Sequence, residues 1–300
     1  MERITVFTPT FNRAHVLHRV YDSLMKQTYK NFKWIIVDDG SIDNTKEVVE
    51  KFKLNCFFDI EYYYQENSGK HVAINNALKY TNSEFFLIAD SDDSFEANSL
   101  EVFINAWDVI PDNEKEKTKG IICRSKNAET GEVIGKFPSD SFFSNDLDAF
   151  FILKLNFEKW QIIRTDVMKE FPFPEPEEKL KFYPETVVWW QMAKKYNTKY
   201  ISNPLRLYYH DQDNSLVKKG NNRCRESRYL WLTVINDVGR YFFRKPLYFI
   251  KAYIGYARDS HLANVKLKKA LIEIHNVFKR ILCLGLYPFG FLLSVRRKQK

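Results

Sequence analysis

The run Phe85-Phe86-Leu87-Ile88-Ala89 stops abruptly at Asp90-Ser91-Asp92-Asp93, and this junction constrains the fold more than any other stretch of the chain. Mostly apolar residues, two of them aromatic, read as a buried strand. A cluster of carboxylates is a costly way to end such a strand unless positive charge gathers there. On an extended backbone Asp90 and Asp92 leave on the same side, so their oxygens would converge on one point. Hard oxygen donors at the mouth of a parallel sheet suit Mg²⁺ or Mn²⁺ carrying a diphosphate, because these ions keep waters and share substrate phosphates. The simpler reading is a solvated acidic turn, with Asp93 or Ser94 capping a helix that starts near Glu96. What precedes the run in the chain favours the first.

Ile4 to Thr10 is a β-branched strand followed by a helical pattern from about Ala14 to Lys26. Lys33 to Val37 is a second buried strand ending in Asp38-Asp39-Gly40-Ser41, and a helix from about Asn44 to Phe52 leads to a third strand at Ile60 to Gln65. Glu66-Asn67-Ser68-Gly69-Lys70 then turns into a helix from His71 to Lys79. Strands alternating with helices predict an α/β fold, a mostly parallel, Rossmann-like sheet with helices on both faces and right-handed crossovers. Ligands of such sheets sit outside the carboxyl ends of the strands. Thr10 to Arg13, Asp38 to Ser41, Asn67 to Lys70 and Asp90 to Asp93 all lie just past strand ends, and so would line one crevice.

Val6 to Arg13, Ile36 to Ser41, Gln65 to Asn75 and Ile88 to Asp93, in this order and spacing, resemble the family-2 glycosyltransferases with the GT-A nucleotide-sugar fold. The resemblance is strong over roughly the first 110 residues and weaker over the next hundred. It implies that Thr8, Pro9, Thr10, Asn12 and Arg13, with Asp38 and Asp39, hold a nucleotide, usually uridine diphosphate. A carboxylate such as Asp39 accepts hydrogen bonds from an imide N–H or ribose hydroxyls, although either aspartate could instead shape the turn before Gly40. Asn67, Gly69 and Lys70 stand at a helix start, where N–H groups and a cation favour phosphate; an exposed lysine there is the plain alternative. The resemblance further implies that Asp90 meets ribose or metal, that Asp92 is the principal metal ligand and that Ser91 and Asp93 lie near the donor.

The segment from 111 to 183 says less. Asp112 to Lys117 is a surface charge run, Gly120 to Arg124 and Glu132 to Phe137 look like strands around a turn at Glu129-Thr130-Gly131, and Pro172, Pro174, Pro176 and Pro184 forbid long regular structure. Pro184-Glu185-Thr186 opens a helix, as any well-formed helix start might. The family places its catalytic carboxylate at such a start, usually as Glu-Asp, so Glu185 is the candidate general base. Leu205 to His210 reads as a last strand, and members of the family put a histidine near here as a further metal or diphosphate contact, which makes His210 a candidate against the more common surface histidine.

Charge divides the chain. Residues 218–300 carry 19 Lys and Arg against 4 Asp and Glu, a net +15 within a total of +8, so residues 1–217 stand at −7. We therefore expect a catalytic domain over 1–217, with a nucleotide half to 110 and an acceptor half from 111, and a basic, aromatic-rich helical tail over 218–300. Ile281 to Val295 is apolar and flanked by Lys279-Arg280 and Arg296-Arg297-Lys298, but Gly285, Pro288 and Gly290 leave it short of a span of about 20 residues. An interfacial segment on anionic lipid fits better, with packing on the body or a partner chain as the alternative. No nucleic-acid signature accompanies these cations, and long apolar runs are useless against a phosphate backbone. Four cysteines without a C-x-x-C pair, and a start that enters a strand without a leader pattern, suggest a cytoplasmic body, peripheral at the inner face of a membrane.

The expectation is thus a metal-dependent, inverting glycosyltransferase that moves a sugar from a UDP-sugar to a hydroxyl of a glycan or polyprenyl-linked acceptor in bacterial surface polysaccharide synthesis. Inversion follows from the resemblance alone. A membrane-docked nucleotide-sugar-binding module without turnover is the alternative, disfavoured because Asp90 and Asp92 are both present. A nucleotidyltransferase would want a glycine-rich basic loop after the first strand, where this chain has Thr8-Pro9-Thr10-Phe11-Asn12-Arg13.

Overall fold

The computed structural model describes residues 2–177, 180–209 and 223–298. Two compact units emerge, one of residues 1–181 and 188–210 and the other of residues 182–187 and 211–300.

In the first unit β1 (Ile4–Thr10), α1 (His18–Met25), β2 (Phe32–Asp38), α2 (Thr45–Leu54), β3 (Ile60–Tyr64), α3 (Lys70–Lys79) and β4 (Phe85–Ile88) follow the expected alternation. β2, β3 and β4 join β1 in a wholly parallel set. Every second residue faces each side of it. Ile4, Val6, Trp34, Ile36, Phe85 and Leu87 share one core with Leu17 before α1, Val20 and Leu24 of α1 and Val49 of α2. Phe7 and Phe86 point the other way and stack at 5.3 Å, on the side where α3 lies over β1 and β2. A helix begins only at His18, because residues 14–17 form turns on Arg13 through Val16 N and Leu17 N.

The chain then departs from simple alternation. No helix starts at Glu96: β5 (Ser94–Phe95) comes first, and α4 (Ser99–Asp108) and α5 (Asp112–Lys115) follow. β6 (Thr118–Asn127), β7 (Ser141–Ser144), α6 (Asp146–Phe151), β8 (Lys159–Arg164), α7 (Thr165–Glu170), α8 (Glu185–Met192) and β9 (Asn197–Tyr208) complete the sheet, in the order β3-β2-β1-β4-β8-β6-β9-β5 with β7 also on β9. β8 runs antiparallel to β4 and β6, so the sheet is mixed beyond residue 110. The strand expected over 132–137 reduces to one bridge between Val133 and Lys126. β9 pairs with β7 along its first half and with β5 at Arg206 and Leu207, which brings the segment following the carboxylates onto β9.

The second unit is helical, with α9 (Cys224–Asp237), a 3₁₀ turn at Gly239–Arg244, α10 (Pro246–Leu262), α11 (Leu267–Ile272) and α12 (Val277–Lys298). Gly255 lets α10 close on α9, since a Cβ there would lie 2.8 Å from the Trp231 ring. The last helix corrects the expectation of a short interrupted segment: it runs 22 residues straight through Gly285, Pro288 and Gly290. α8 straddles the two units, Glu185 to Val187 falling in the second and the rest in the first.

Candidate active site

The loops after β1, β2 and β3 are laced together by the polar residues that end those strands. Asp39 N donates to Thr10 O at 2.8 Å, Asn12 N to Ser41 Oγ at 2.8 Å, and Ile42 N to Asn12 Oδ1 at 2.8 Å. The carboxylate of Asp39 takes three N–H donors from the next loop: Gln65 Nε2 at 2.7 Å, Ser68 N at 2.7 Å and Gly69 N at 2.9 Å. Asn67 Nδ2 closes the loop on Asp39 O at 2.9 Å. Asp38 receives Ser41 N and the Tyr62 hydroxyl, both at 2.7 Å. Both aspartates therefore shape loops directly, and Asp38 commits both of its oxygens to doing so. Gly40 and Gly69 are required here: both have positive φ, and a Cβ on them would come within 2.9 Å of Asn67 N and 2.6 Å of Lys181 O. Thr8 faces the interior, where its Oγ1 accepts from Trp34 Nε1 at 2.9 Å. Pro9 is half-buried in β1, whereas Thr10 Oγ1 is buried with no partner among the described residues.

The fourth strand end gathers the charges. β4 stops at Ile88 and the chain turns back, with Asp93 N donating to Asp90 O at 3.1 Å. The expected period-two convergence of Asp90 and Asp92 is overturned by this turn, because the backbone is no longer extended there. The carboxylates instead meet cations brought by other parts of the chain. Asp90 accepts from Lys70 Nζ at 2.5 Å and has Arg206 Nη2 at 3.8 Å; Asp92 has Arg13 Nη1 at 3.3 Å, and its carbonyl accepts from Arg19 Nη1 at 3.0 Å. Asp93 points inward to Arg206 Nε at 2.5 Å, and Ser91 is buried within the turn. Arg206 Nη1 also reaches Glu158 at 3.5 Å, while the Arg19 guanidinium lies 4.0 Å from the Tyr209 ring centroid.

Burial raises the Asp90 carboxyl, but Lys70, Arg206 and Arg13 outweigh it and hold the group below the usual carboxylate range. Asp93 goes the other way: burial, with Asp90 and Asp92 beside it, pushes it up to about 7 despite Arg206. Two adjacent carboxyls are thus driven apart, one kept charged and one brought near neutrality, a pattern common where chemistry is done.

Residues 5–113 match the family model described as Glycosyl transferase family 2. Over this segment, about a third of the chain, the protein is similar to glycosyl transferase family 2. Glycosyltransferase GlyA of Streptococcus pneumoniae serotype 4 is 35% identical over 100 residues, 33% of this chain and 14% of that protein. The Escherichia coli UDP-Glc:alpha-D-GlcNAc-diphosphoundecaprenol beta-1,3-glucosyltransferase WfgD is 35% identical over 105 residues, 34% of this chain and 40% of that one. The matched stretch is thus less than half of either relative's length. Among solved structures, S. aureus TarS 1–349 in complex with UDP-GlcNAc matches all of this chain and 92% of its own, with a TM-score of 0.64 at 18% identity. The mannosyltransferase PcManGT of Pyrobaculum calidifontis, in complex with GDP-Man and Mn²⁺, matches 99% of this chain and 84% of its own, with a TM-score of 0.58 at 15% identity. At these identities the likeness is one of fold, the GT-A fold.

The family-2 segment supplies Asp39, Lys70 and the three carboxylates, but not Glu158 or Arg206. Among the described residues no three His, Cys, Asp or Glu side chains converge as a metal cage. The donor set instead fits a cation shared with phosphate. Asp92, one-third exposed and with Arg13 Nη1 at 3.3 Å from its carboxylate, would be the first ligand, with Asp90 behind it. Glu185 is the first residue of α8, and His210 lies outside the described residues. The residue that sequence reasoning missed is Arg206, the guanidinium that links Asp90, Asp93 and Glu158. Its signal was a cation between Leu205 and Leu207 in a strand, a charge placed where only a buried partner can hold it.

Proposed function

We propose that the chain is a metal-dependent, inverting glycosyltransferase that transfers a sugar from a UDP-sugar to a hydroxyl of a glycan or lipid-linked acceptor. The observation that carries this reading is the charge balance at the end of β4. Asp90, Asp92, Asp93 and Glu158 stand against Arg13, Arg19, Lys70 and Arg206. A nucleotide-sugar diphosphate, with a charge of about −2, unbalances such a site by the amount that one divalent cation restores. Mg²⁺ or Mn²⁺ on Asp92 and Asp90 would supply Lewis-acid stabilisation of the departing diphosphate.

The protein's own groups divide the remaining work. Lys70 and Arg13, each on a carboxylate in this structure, are within a side-chain swing of phosphate oxygens bound at the same place. Thr10, Asn12, Asp39, Asn67 and Gly69 form the laced edge on which the nucleotide would lie, with the unpartnered Thr10 hydroxyl as a donor toward it. Ser91 and Asp93 would lie behind the transferred sugar, with Arg206 holding the Asp93 carboxylate in place. Glu185 would take the proton of the acceptor hydroxyl as that oxygen attacks the anomeric carbon, one displacement and hence inversion. WfgD is named for a diphosphoundecaprenol acceptor, which supports a polyprenyl-linked acceptor here and a role in bacterial surface polysaccharide assembly at the inner membrane face.

Calorimetric titration with uridine diphosphate, with Mn²⁺ and with chelator, on wild type and Asp92→Ala tests the reading. Metal-dependent binding that the variant loses supports it. Equal affinity in chelator would remove the metal, and no binding in any condition would remove uridine diphosphate.

A further inference from the structure

α12 is long and apolar enough, over Val277–Val295, to cross a membrane by length and composition. Its packing argues that it does something else. Among its described side chains only a narrow seam of small residues is buried: Cys283, Gly290 and Ser294, spaced as one stripe of a helix. That seam lies along α10. A Cβ at Gly290 would come 2.6 Å from the Ala257 Cβ, and Ser294 Oγ is 2.8 Å from His261 Nδ1, whose ring packs against Phe291 at 4.6 Å. The contact continues for about 17 Å at 1.5 Å per residue. Opposite the seam, Phe278, Ile281, Phe289 and Leu292 are 81%, 62%, 58% and 60% exposed.

The surrounding charge says what covers this face. Of the four acids in the tail, Glu273 is paired with Arg228, and Asp259 is buried against Arg258, Ser227 and Trp231. Asp237 acts on Lys279, and Glu226 is half-buried in the first turn of α9. Among the described residues of the tail the exposed charge is therefore cationic: Arg240, Arg244, Lys251, Lys266, Lys268 and Lys269. Exposed apolar side chains accompany them, with Phe243 beside Arg244, Leu247 and Ile250 beside Lys251, and Leu267 beside Lys268. Apolar tips set among unopposed cations complement an anionic lipid surface, whereas a second copy would bring a like charge.

We propose that α12 lies in the plane of an anionic bilayer surface, its outward face in the acyl boundary and its seam held by α10, rather than crossing the membrane. Crossing would carry α10, with Lys251, Arg258 and the buried Asp259, into hydrocarbon, at several kcal/mol for each charge. This rests on the helical unit alone and stands apart from the donor reading.

The full chain is to be sedimented with vesicles of phosphatidylcholine, alone or with roughly a third phosphatidylglycerol, and then washed with alkaline carbonate. We expect binding to the anionic vesicles only, weakened by salt and released by carbonate. Phe278→Glu/Leu292→Glu, which leaves the seam untouched, lowers it about tenfold or more with an unchanged circular dichroism spectrum. Lys268→Glu/Lys269→Glu, which leaves α12 itself unchanged, weakens it in the same direction. Resistance to carbonate would overturn the proposal in favour of a spanning helix. Absence of vesicle binding, with a dimer that the Phe278→Glu/Leu292→Glu variant dissociates, would assign the face to a second copy. Vesicle binding leaves uridine diphosphate titrations unaffected, so the two readings fail separately.

Discussion

Along β9 lie two clusters of cation and carboxylate. Near its start, Lys119 Nζ donates to Asp146 at 2.7 Å and to Gln161 at 3.0 Å, while Thr198 and Tyr200 donate to the other oxygen of Asp146 at 3.1 and 2.9 Å. Near its end, Arg206 is shared by Asp93, Asp90 and Glu158. The first cluster is closed: Lys119 is 1% and Asp146 11% exposed, and protein groups saturate the carboxylate. In the second, Asp90, Asp92 and Glu158 are 35%, 33% and 55% exposed, and long contacts of 3.3 to 3.8 Å stand where bonds could form. A cluster closed in this way serves only the fold. The open one keeps hydrogen-bonding capacity for a ligand, and it is the one beside the family-2 loops.

That contrast breaks if the two clusters respond alike to substitution. The largest effect is expected from Lys119→Met, which strands Asp146 in the interior and costs about 3–5 kcal/mol of stability by urea unfolding, while the folded variant binds uridine diphosphate as wild type does. Loss of nucleotide binding by the folded variant would mean that the closed cluster also serves the site. Asp92→Ala should reverse the pattern. Turnover falls about 10²–10³-fold, some 3–4 kcal/mol, whereas the loss of a partly exposed pair with Arg13 leaves stability within about 1 kcal/mol. Arg206→Lys is expected to fall between the two. The charge stays but the fork that reaches three carboxylates goes, so donor KM rises about tenfold with a smaller change in kcat. An equal loss in Arg206→Lys and Arg206→Ala would show that planar geometry, not charge, holds the carboxylates.

The same contrast explains what was legible in the sequence. The first four strands and their helices follow from periodicity, because each is a local unit whose apolar pattern matches its burial. The polar clusters past their ends were equally plain. The partners were not: Asp39 organises the loop of Ser68 and Gly69, about thirty residues away in sequence, and Arg206 reaches Asp93 across more than a hundred. The Asp90 turn was hidden for a different reason. β5 is only two residues long, too short to show any period, yet its pairing with Arg206 and Leu207 folds the carboxylates back. α12 was misjudged because Gly285, Pro288 and Gly290 read as breakers, whereas Gly290 is the contact that lets the helix close on α10.

His71 gives the smallest and most selective test, since it belongs to the laced loops and not to the open cluster. It is buried at the start of α3, and burial holds its imidazole below the ordinary value, although Glu175 and Asp39 pull it upward. A histidine kept neutral in the fold takes up its proton in the unfolded chain first. Its contribution to stability is therefore present above the unfolded value of about 6.5 and is lost as pH falls through the lower folded value. Between pH 7.5 and 5.5 the melting temperature of wild type should fall by more than that of His71→Gln, with the two curves converging at the alkaline end. A parallel decline in both proteins would place the acid sensitivity elsewhere. Because the charges that act on His71 are Glu175 and Asp39 rather than the carboxylate cluster, metal-dependent nucleotide binding at pH 7.5 should survive the substitution, which separates the scaffold of the crevice from its charge.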